Sequence, residues 1–341
     1  MSETVKNKRW IKGVDSIRFI LALIVLLSHF EDPYMKLCLQ SPSQPVRIIG
    51  FLLANVFDGT AAVIAFFIIS GFVIHYANKS GIKSLSTFYI RRFSRIMIPL
   101  LVIYLIGIKF NHPDKSVIWS LICELIYYAI YPLLFKIKAS WFNKFLCCYI
   151  IAAICVGIKA HSAVSALFTQ SNADYPMYYW QLGIACTWII GLPVWLLGAL
   201  IAENIDKLKS VSFSKILLFR IAVFALSFLL NIAKVYWNLS YLLSMNIFAI
   251  LLFKWIEAEI IYYKNKQPIG LLEYMGKFSY SLYLCHPLIY AILMLNISST
   301  LITYPLIISI TILSAYLFYL AVERPSHLLA IKLTTKQKID I

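Results

Sequence analysis

The stretch Arg18-Phe-Ile-Leu-Ala-Leu-Ile-Val-Leu-Leu-Ser-His29 decides how this chain folds. It lies within an apolar run from roughly residue 15 to residue 30, which is close to the length that a helix needs to cross a bilayer. Four basic residues precede the run, and no small-residue cleavage site follows it. We therefore expect it to remain in the membrane as a first spanning helix and not to be removed as a secretory signal.

The composition indicates that the rest of the chain is also membrane-embedded. Of the 341 residues, 61% are hydrophobic and 13% are charged, and the mean hydropathy is +0.80. Soluble domains carry about 25% charged residues, so this chain cannot present a fully water-exposed surface and lipid must cover much of it. We predict an all-α bundle of about ten transmembrane helices. The predicted spans are roughly 15–30, 56–75, 95–110, 117–135, 145–161, 178–202, 215–231, 238–254, 278–296 and 301–320.

The basic residues are distributed unevenly between the predicted loops. The net charge of +16 would indicate a nucleic-acid partner in a soluble chain. With the N-terminus in the cytoplasm, however, the cytoplasmic segments hold 23 of the 31 lysines and arginines and the outer loops hold 6. This is the positive-inside bias of membrane proteins. It predicts that both termini are cytoplasmic, and we expect no nucleic-acid partner.

The chain is predicted to form a single transmembrane domain over residues 1–341, because it contains no linker and no internal repeat. The outer loop at roughly 31–55 contains three prolines and is predicted to be irregular. The stretch at roughly 255–277 is predicted to be a cytoplasmic loop with a short interfacial helix. Of the seven cysteines only Cys38 falls in a predicted loop, so no disulfide framework is expected. No Cys/His spacing resembles a metal site, and we expect no metal.

Arg18 and His29 are ionisable residues inside the first span, where charge is expensive and therefore suggests function. Eleven residues correspond to three helical turns plus about 20°, and to about 16 Å along the axis. Both side chains are therefore predicted to project from one face, with Arg18 near the cytoplasmic end. The alternative is that Arg18 extends to the inner interface and His29 merely lies at the outer one.

Arg91, Arg92 and Arg95 form a second cluster, just before the third predicted span. On a helix, residues three and four apart are neighbours, so these guanidinium groups would repel each other. An anion between them would relieve the repulsion, and the arginine fork suits phosphate oxygens. The alternative is that the cluster only anchors the topology.

Glu124 and the polar residues of the ninth span are the remaining candidates. A carboxylate at the depth of Glu124 should pair with a cation, for which Arg18 is a candidate, or be protonated. In the ninth span, His286 precedes Pro287 and could satisfy backbone carbonyls that the proline leaves unpaired. Other histidines lie at span ends or in loops without an evident partner. These are His75, His112, His161 and His327.

Together these segments resemble the acyltransferase 3 family, membrane enzymes that O-acylate surface polysaccharides and other extracytoplasmic acceptors. The matches occur in family order from residue 14 to residue 325, nearly the whole chain. They comprise Arg18 and His29; Phe66, Phe67, Ser70, Gly71 and Phe72; Arg92, Arg95 and Pro99; Trp119, Ser120, Leu121, Glu124, Tyr131 and Pro132; Ser279, Tyr280, Ser281, Tyr283, Leu284 and His286; and Glu323, Arg324 and Pro325.

The resemblance implies an acyl-CoA donor, most simply acetyl-CoA, bound as a substrate and not as a permanently held cofactor. The CoA phosphates are expected at Arg92 and Arg95, with Arg91 beside them. His29 is expected to act as a general base or to relay the acyl group, oriented by Arg18 or Glu124. The supporting residues are expected to be Trp119, Ser279, Tyr283 and His286. The implied acceptor is a hydroxyl of a glycan such as O-antigen, capsule or exopolysaccharide, or of a lipid-linked oligosaccharide, outside a bacterial cytoplasmic (inner) membrane.

Two departures from the family pattern affect what is expected. Many relatives carry an Asp just before the phenylalanine pair, where this chain has Ile64 and Ala65, so no role for that carboxylate is inferred. Some relatives also have an SGNH esterase-like domain, which is not found in this sequence. We therefore expect direct transfer to the acceptor, or a separate extracytoplasmic partner.

Two other functions are compatible with a polytopic chain. A proton-coupled secondary transporter or polysaccharide flippase could use Arg18, His29 and Glu124 as a proton relay, but it would ordinarily show internal symmetry. A non-catalytic membrane scaffold would not need ionisable residues inside its spans.

Overall fold

The computed structural model describes residues 11–112, 117–169 and 175–336. Some of the basic residues that support the predicted topology lie outside these ranges. They are Lys6, Lys8, Arg9, Lys115 and Lys338.

The described residues form an all-α structure without a β-strand, as predicted. Short 3₁₀ segments at Tyr179–Leu182 and Gly276–Phe278, and a π-helical turn at Tyr319–Glu323, connect or extend the helices. The α-helices, α1 to α15 in chain order, are Val14–His29, Pro33–Leu39, Gln44–Asn55, Gly59–Asn78, Leu85–Lys109, Ile118–Lys136, Trp141–Lys159, His161–Thr169, Ile184–Asn204, Phe213–Tyr236, Tyr241–Asn265, Gly270–Met275, Ser279–Met294, Thr303–Phe318 and Arg324–Lys336.

Within the described ranges, seven helical segments are long and apolar enough to cross a membrane. They coincide with seven of the ten predicted spans, and they are Gln44–Asn78, Ile118–Lys136, Trp141–Lys159, Ile184–Asn204, Phe213–Tyr236, Tyr241–Asn265 and Thr303–Thr335. The other three predicted spans correspond to α1, α5 and α13. Helices α1 and α13 have 16 residues each, and α5 carries the arginine cluster in its first half. The chain is a multi-pass helical membrane protein, and the count of ten spans stays a prediction.

The prediction of an irregular loop at 31–55 is wrong, because this segment forms helices α2 and α3. Asp32 accepts hydrogen bonds from the backbone N–H groups of Tyr34 and Met35, and Pro33 occupies the first turn of α2. Pro45 likewise lies in the first turn of α3. Proline is favourable there because its missing N–H would have no helical partner anyway. Cys38 consequently lies in a helix and not in a loop.

The boundaries at 178–202 and 255–277 also differ from the predictions. Helix α9 begins at Ile184, after the 3₁₀ turn, and α11 continues to Asn265. The second stretch was predicted to contain a short helix, and it contains α12.

Helix α1 lies between two hydrophobic clusters and packs against both. One face, with Ile17, Leu21 and Val25, belongs to the main core that contains α4 and α9. Another face, with Phe19 and Leu26, belongs to a smaller cluster with α13 and α14. Helix α1 contacts α4, α13 and α12. Its ionisable side chains Asp15 and Arg18 are half-buried, and His29, at its last residue, is exposed.

Among the described helices, α4 and α9 pack against each other most extensively, and glycine lets their backbones approach closely. A Cβ atom at Gly71 would lie 1.9 Å from the carbonyl oxygen of Trp195, and one at Gly198 would lie 1.9 Å from that of Ile68. Small residues let helix backbones approach closely in membranes. This contact presents Ser70, next to Gly71, to the interior.

Candidate active site

A carboxylate on α12 holds the start of α1, the helix that carries both Arg18 and His29. Glu273 Oε1 accepts a hydrogen bond from the backbone N–H of Gly13 at 3.1 Å, and Oε2 accepts from the N–H and the hydroxyl of Ser16 at 3.1 and 2.6 Å. The first N–H groups of a helix have no partner within the helix, so Glu273 supplies acceptors for two of them. This cap fixes α1 against α12.

Two cavities adjoin α1, and the predicted site residues divide between them. We call the first the arginine cavity; it has a volume of about 100 Å³. Its lining contains Arg18, Arg92, Arg95, Ser70, Glu124 and Ser279, together with apolar and aromatic residues of α4, α5, α6 and α13. Three guanidinium groups around one small cavity produce a strongly positive environment that suits an anionic ligand.

Arg91 is not in the lining of the arginine cavity. Its Nε atom donates a hydrogen bond to Thr334 Oγ1 at 2.8 Å and so connects α5 to α15. The expectation that Arg91 joins Arg92 and Arg95 around one ligand is therefore not matched by its position. The reason is the 100° step between consecutive helical residues, which directs Arg91 and Arg92 to different neighbours.

Glu124 faces the arginine cavity, and it does not form an ion pair with Arg18, its candidate partner. It accepts hydrogen bonds from Ser70 Oγ at 2.7 Å and from the hydroxyl of Tyr128. Arg18 instead pairs with Asp15, with 3.6 Å between Nη1 and Oδ1. Trp195 Nε1 donates to Ser70 Oγ at 3.2 Å and helps to orient it.

The second cavity, which we call the histidine cavity, has a volume of about 740 Å³ and lies at the His29 end of α1. Its lining combines aromatic side chains with polar and charged ones. They include His29, Asp58, Trp119, Tyr178, Trp180, Asn231, Lys234 and Tyr241. This is within the size range of small-molecule sites, which also combine apolar walls with a few polar groups.

His29 and His286 are hydrogen-bonded to each other at the edge of the histidine cavity. His29 Nδ1 lies 2.8 Å from His286 Nε2, and the two rings stack with 5.0 Å between their centroids. His286 is fully buried. Helix α1 therefore brings His29 to α13, and the direct partner of His29 is a histidine, although Arg18 or Glu124 was expected in this role. Arg18 lies about 16 Å away along the helix axis.

The surroundings of His286 determine which nitrogen atoms of the pair carry protons. His286 Nδ1 lies 2.9 Å from the carbonyl oxygen of Tyr283 and 3.2 Å from that of Leu282. Carbonyl oxygens only accept hydrogen bonds, so Nδ1 must be the protonated nitrogen. Neutral His286 then accepts at Nε2 from His29 Nδ1–H, and this leaves the lone pair of neutral His29 on its Nε2.

Pro287 explains why a carbonyl is available to His286. A residue at position 287 would normally donate its N–H to the carbonyl of Tyr283, four residues earlier, but proline has no N–H. The prediction that His286 satisfies a carbonyl left by the proline is confirmed. The same ring also holds His29.

Val63 and Tyr283 line both cavities and separate them. The hydroxyl of Tyr283 lies 2.7 Å from Ser120 Oγ, which donates to the carbonyl of Val117 at 3.0 Å. These two side chains therefore form part of the wall between the two cavities. Of the other predicted supporting residues, Trp119 lines the histidine cavity and Ser279 lines the arginine cavity.

Several polar residues of the interior were given no role in the sequence analysis. Asp58, at the start of α4, is buried and accepts hydrogen bonds from the hydroxyl of Tyr241 at 2.7 Å and from the N–H of Ala61 at 3.1 Å. Glu323, in the π-helical turn, accepts from Ser281 Oγ at 2.6 Å. The sequence signal for Glu323 was the Glu-Arg-Pro motif in which it lies. Asp58 and Tyr241 have no comparable local pattern, because 183 residues separate them.

His75 corrects another expectation, since it does have partners. It is fully buried, with Nδ1 2.9 Å from the Tyr131 hydroxyl and Nε2 2.6 Å from Glu203 Oε1. This group connects α4, α6 and α9 and lies outside both cavity linings.

Comparison with known proteins identifies the family. The family model described as an acyltransferase domain, that of the acyltransferase 3 family, matches residues 11–320. No curated protein and no solved structure matches the chain significantly. The matched region contains all of α1 to α14 and every side chain named in the two cavity linings above. This chain belongs to the acyltransferase 3 family and is a membrane acyltransferase.

Proposed function

We propose that the protein transfers an acetyl group from cytoplasmic acetyl-CoA to a hydroxyl of an extracytoplasmic glycan. The observation that carries the proposal is the pair of adjoining cavities, one lined by arginines and one by His29, which share Val63 and Tyr283 in their linings. A transferase whose two substrates come from opposite sides of a membrane needs two such entrances and a short path between them.

The arginine cavity suits the donor. CoA is polyanionic, and arginine binds phosphate oxygens through two parallel N–H groups. Arg92 and Arg95 lie on α5, which follows a predicted cytoplasmic segment rich in basic residues. Arg18 and Glu124 line the same cavity and would contact other parts of the donor.

The histidine cavity suits the acceptor. In the proposed step, the acceptor oxygen attacks the thioester carbonyl carbon, a C–O bond forms and the C–S bond breaks. The proton of the acceptor hydroxyl passes to His29 Nε2 and then to the sulfur of the departing CoA, so the products are an ester and CoA thiol. His286 is a positioning residue, because it holds His29 in the tautomer that a general base needs.

A covalent relay remains the alternative role for His29. In that route Nε2 itself attacks the thioester and an acyl-imidazole carries the group to the acceptor. The tautomer derived above supports either role, because both use the lone pair on Nε2. Rapid acid quenching of the protein with radiolabelled acetyl-CoA and no acceptor separates them, since label retained on His29 supports the relay.

The cellular setting follows from the donor. Acyl-CoA is a cytoplasmic metabolite and the acceptor lies outside, so we propose the cytoplasmic (inner) membrane of a bacterium. O-antigen, capsule, exopolysaccharide or a lipid-linked oligosaccharide would be the acceptor, with a separate extracytoplasmic protein as a further partner where transfer is indirect.

Mass spectrometry of the surface glycan, with and without the gene, tests the proposal. Loss of one acetyl unit per modified residue on deletion, restored by the wild-type gene and not by the His29→Ala variant, is the expected result. An unchanged glycan, together with no detectable CoA binding by the purified protein, would favour the transporter or flippase.

A further inference from the structure

Lys234 is a cation in the lining of the histidine cavity, held there by aromatic side chains. It lies in the last turn of α10, half-buried, and its Nζ atom is 4.7 Å from the ring centroid of Tyr241 and 5.3 Å from that of Tyr178. Nζ donates to the Tyr178 hydroxyl at 3.3 Å. In the part of the chain that the structure describes, no carboxylate oxygen lies within 4.0 Å of it.

Asp58, a carboxylate in the lining of the same cavity, already accepts hydrogen bonds from other groups. Asp58 accepts from the Tyr241 hydroxyl and from the N–H of Ala61, and it caps the N-terminus of α4. A carboxylate at this position also interacts favourably with the helix dipole. The contacts of Asp58 direct it to α4 and Tyr241, and it acts on Lys234 only through space, without a direct contact. The remaining N–H donors of Lys234 face the cavity.

An ammonium group has three N–H donors, and Lys234 uses one of them on Tyr178. The aromatic rings of Tyr178 and Tyr241 restrict where the group can lie, so its charge is held at a defined position at the edge of the cavity. Holding a cation in a partly desolvated site costs free energy unless an anion completes it. An anionic group on the ligand of this cavity would supply a direct contact that Asp58 does not make.

We propose that the acceptor is an acidic glycan, whose carboxylate or phosphate is bound by Lys234 while the hydroxyl to be acylated lies at His29. This inference rests on the proposed function, because it takes the histidine cavity to be the acceptor site. The aromatic side chains Trp119, Tyr178 and Trp180 would stack on the apolar faces of the sugar rings. Lys234 determines specificity, because a neutral sugar at the same place leaves its remaining donors without an anion.

Binding of small sugars to the purified full-length protein in detergent, measured by saturation-transfer NMR titration, tests this inference. The probes are methyl β-D-glucuronide, methyl β-D-glucoside and α-D-glucose 1-phosphate. The glucuronide and the glucoside differ only in a carboxylate against a hydroxymethyl group. We expect wild-type protein to bind at least one of the two anionic sugars roughly tenfold more tightly than the glucoside, as for one charge-assisted contact.

Three variants identify the residue responsible. Lys234→Met removes the charge and keeps a similar stem, so the preference for the anionic sugar should disappear. Lys234→Arg should retain it. Lys159→Met is the matched control, because Lys159 is an exposed lysine at the end of α7 and is not in the lining of the histidine cavity. It should bind all three probes like the wild type. Retained acetyl-CoA binding in each variant shows that the protein is folded.

Each outcome decides the inference. Tightest binding of glucose 1-phosphate indicates a phosphate-bearing acceptor, and tightest binding of the glucuronide indicates a uronic acid. Equal affinity for acidic and neutral probes, no binding of any probe, or an unchanged preference in Lys234→Met would overturn it. Acyl transfer is measured separately on the same samples. A protein that acylates but shows no preference for acids refutes this inference alone, and one that prefers acids but never acylates refutes the proposed function alone.

Discussion

His29 Nδ1 lies 2.8 Å from His286 Nε2, and the other ring nitrogen of His286 faces the backbone carbonyls of Leu282 and Tyr283, in the turn before Pro287. A proline in α13 therefore determines the tautomer of a histidine in α1. The proton arrangement of the pair follows from donors and acceptors alone, since carbonyl oxygens cannot donate. This relationship separates the roles of the two histidines and leads to the first prediction.

His29→Ala should abolish acyl transfer while leaving acetyl-CoA binding within about twofold of wild type, because Arg92 and Arg95 lie in the other cavity. General base catalysis contributes about 10²- to 10⁴-fold. His286→Ala should reduce transfer by a smaller factor, about 10- to 100-fold, since it removes one hydrogen bond to His29 and not the reacting nitrogen. Rates of CoA release with purified protein measure both effects. Wild-type rates in His29→Ala would return His29 to a purely interfacial role.

Arg92→Ala and Arg95→Ala should each weaken acetyl-CoA binding by about 10- to 100-fold, as expected for one lost charge-assisted contact. Lysine at either position should restore binding only in part, because an ammonium keeps the charge and loses the planar fork. Arg91→Ala is the matched control, since Arg91 lies one residue away on the same helix and bonds Thr334 instead. Isothermal titration calorimetry in detergent, at low and high salt, provides the measurement. The arginine cavity would not be the donor site if Arg91→Ala weakened binding as much as the other two substitutions.

Val63→Trp should block transfer without preventing donor binding. Val63 lines both cavities, so a larger side chain would thicken the wall through which the acyl group must pass. A displacement of about 1 Å between reacting groups costs roughly 10²-fold in rate. Retained acetyl-CoA binding would show that the variant is folded. Unchanged transfer would mean that the acyl group takes another path.

Gly71→Ala and Gly198→Ala should lower stability, because the added Cβ meets a backbone carbonyl at 1.9 Å and the two helices must separate. Such overpacking costs about 1–3 kcal/mol. Gly157→Ala is the control, since a Cβ at Gly157 in α7 meets nothing within 4 Å, and alanine is a better helix former by up to about 1 kcal/mol. Thermal unfolding in detergent compares the three variants. Equal unfolding temperatures for all three would contradict the close α4–α9 contact.

Reporter fusions test the predicted orientation. Fusions after Asn78, Ser140 and Lys266 should report the cytoplasm, and a fusion after Asn238 should report the outside, because basic residues favour the cytoplasmic side. Each site lies at or next to the end of a helix. If two neighbouring fusions reported the sides opposite to those predicted, the predicted number of spans before them would be wrong. The side from which the donor is expected to enter would then also be reversed.

The sequence by itself was sufficient for the fold class, for the charged side chains of the arginine cavity and for His29. Membrane helices are predictable from composition because lipid imposes a single requirement, that every backbone polar group be satisfied within the helix. Arg18, His29, Arg92, Arg95 and Glu124 stood out because charge is costly inside an apolar run. The helices α2 and α3 were missed, since proline there indicated a loop and its role in beginning a helix was not considered.

The tertiary structure alone decided which of these side chains meet. Helix spacing placed Arg18 and His29 on one face. It carries no information about neighbouring helices, so it could not predict that His29 contacts His286, which lies 257 residues further along the chain. The same limit hid the pairing of Asp58 with Tyr241 and the position of Lys234 between two aromatic rings. The local sequence shows which polar groups lie inside apolar runs and therefore cost free energy to bury. Only the packing of the helices determines which partner offsets that cost, because the partner lies on another helix.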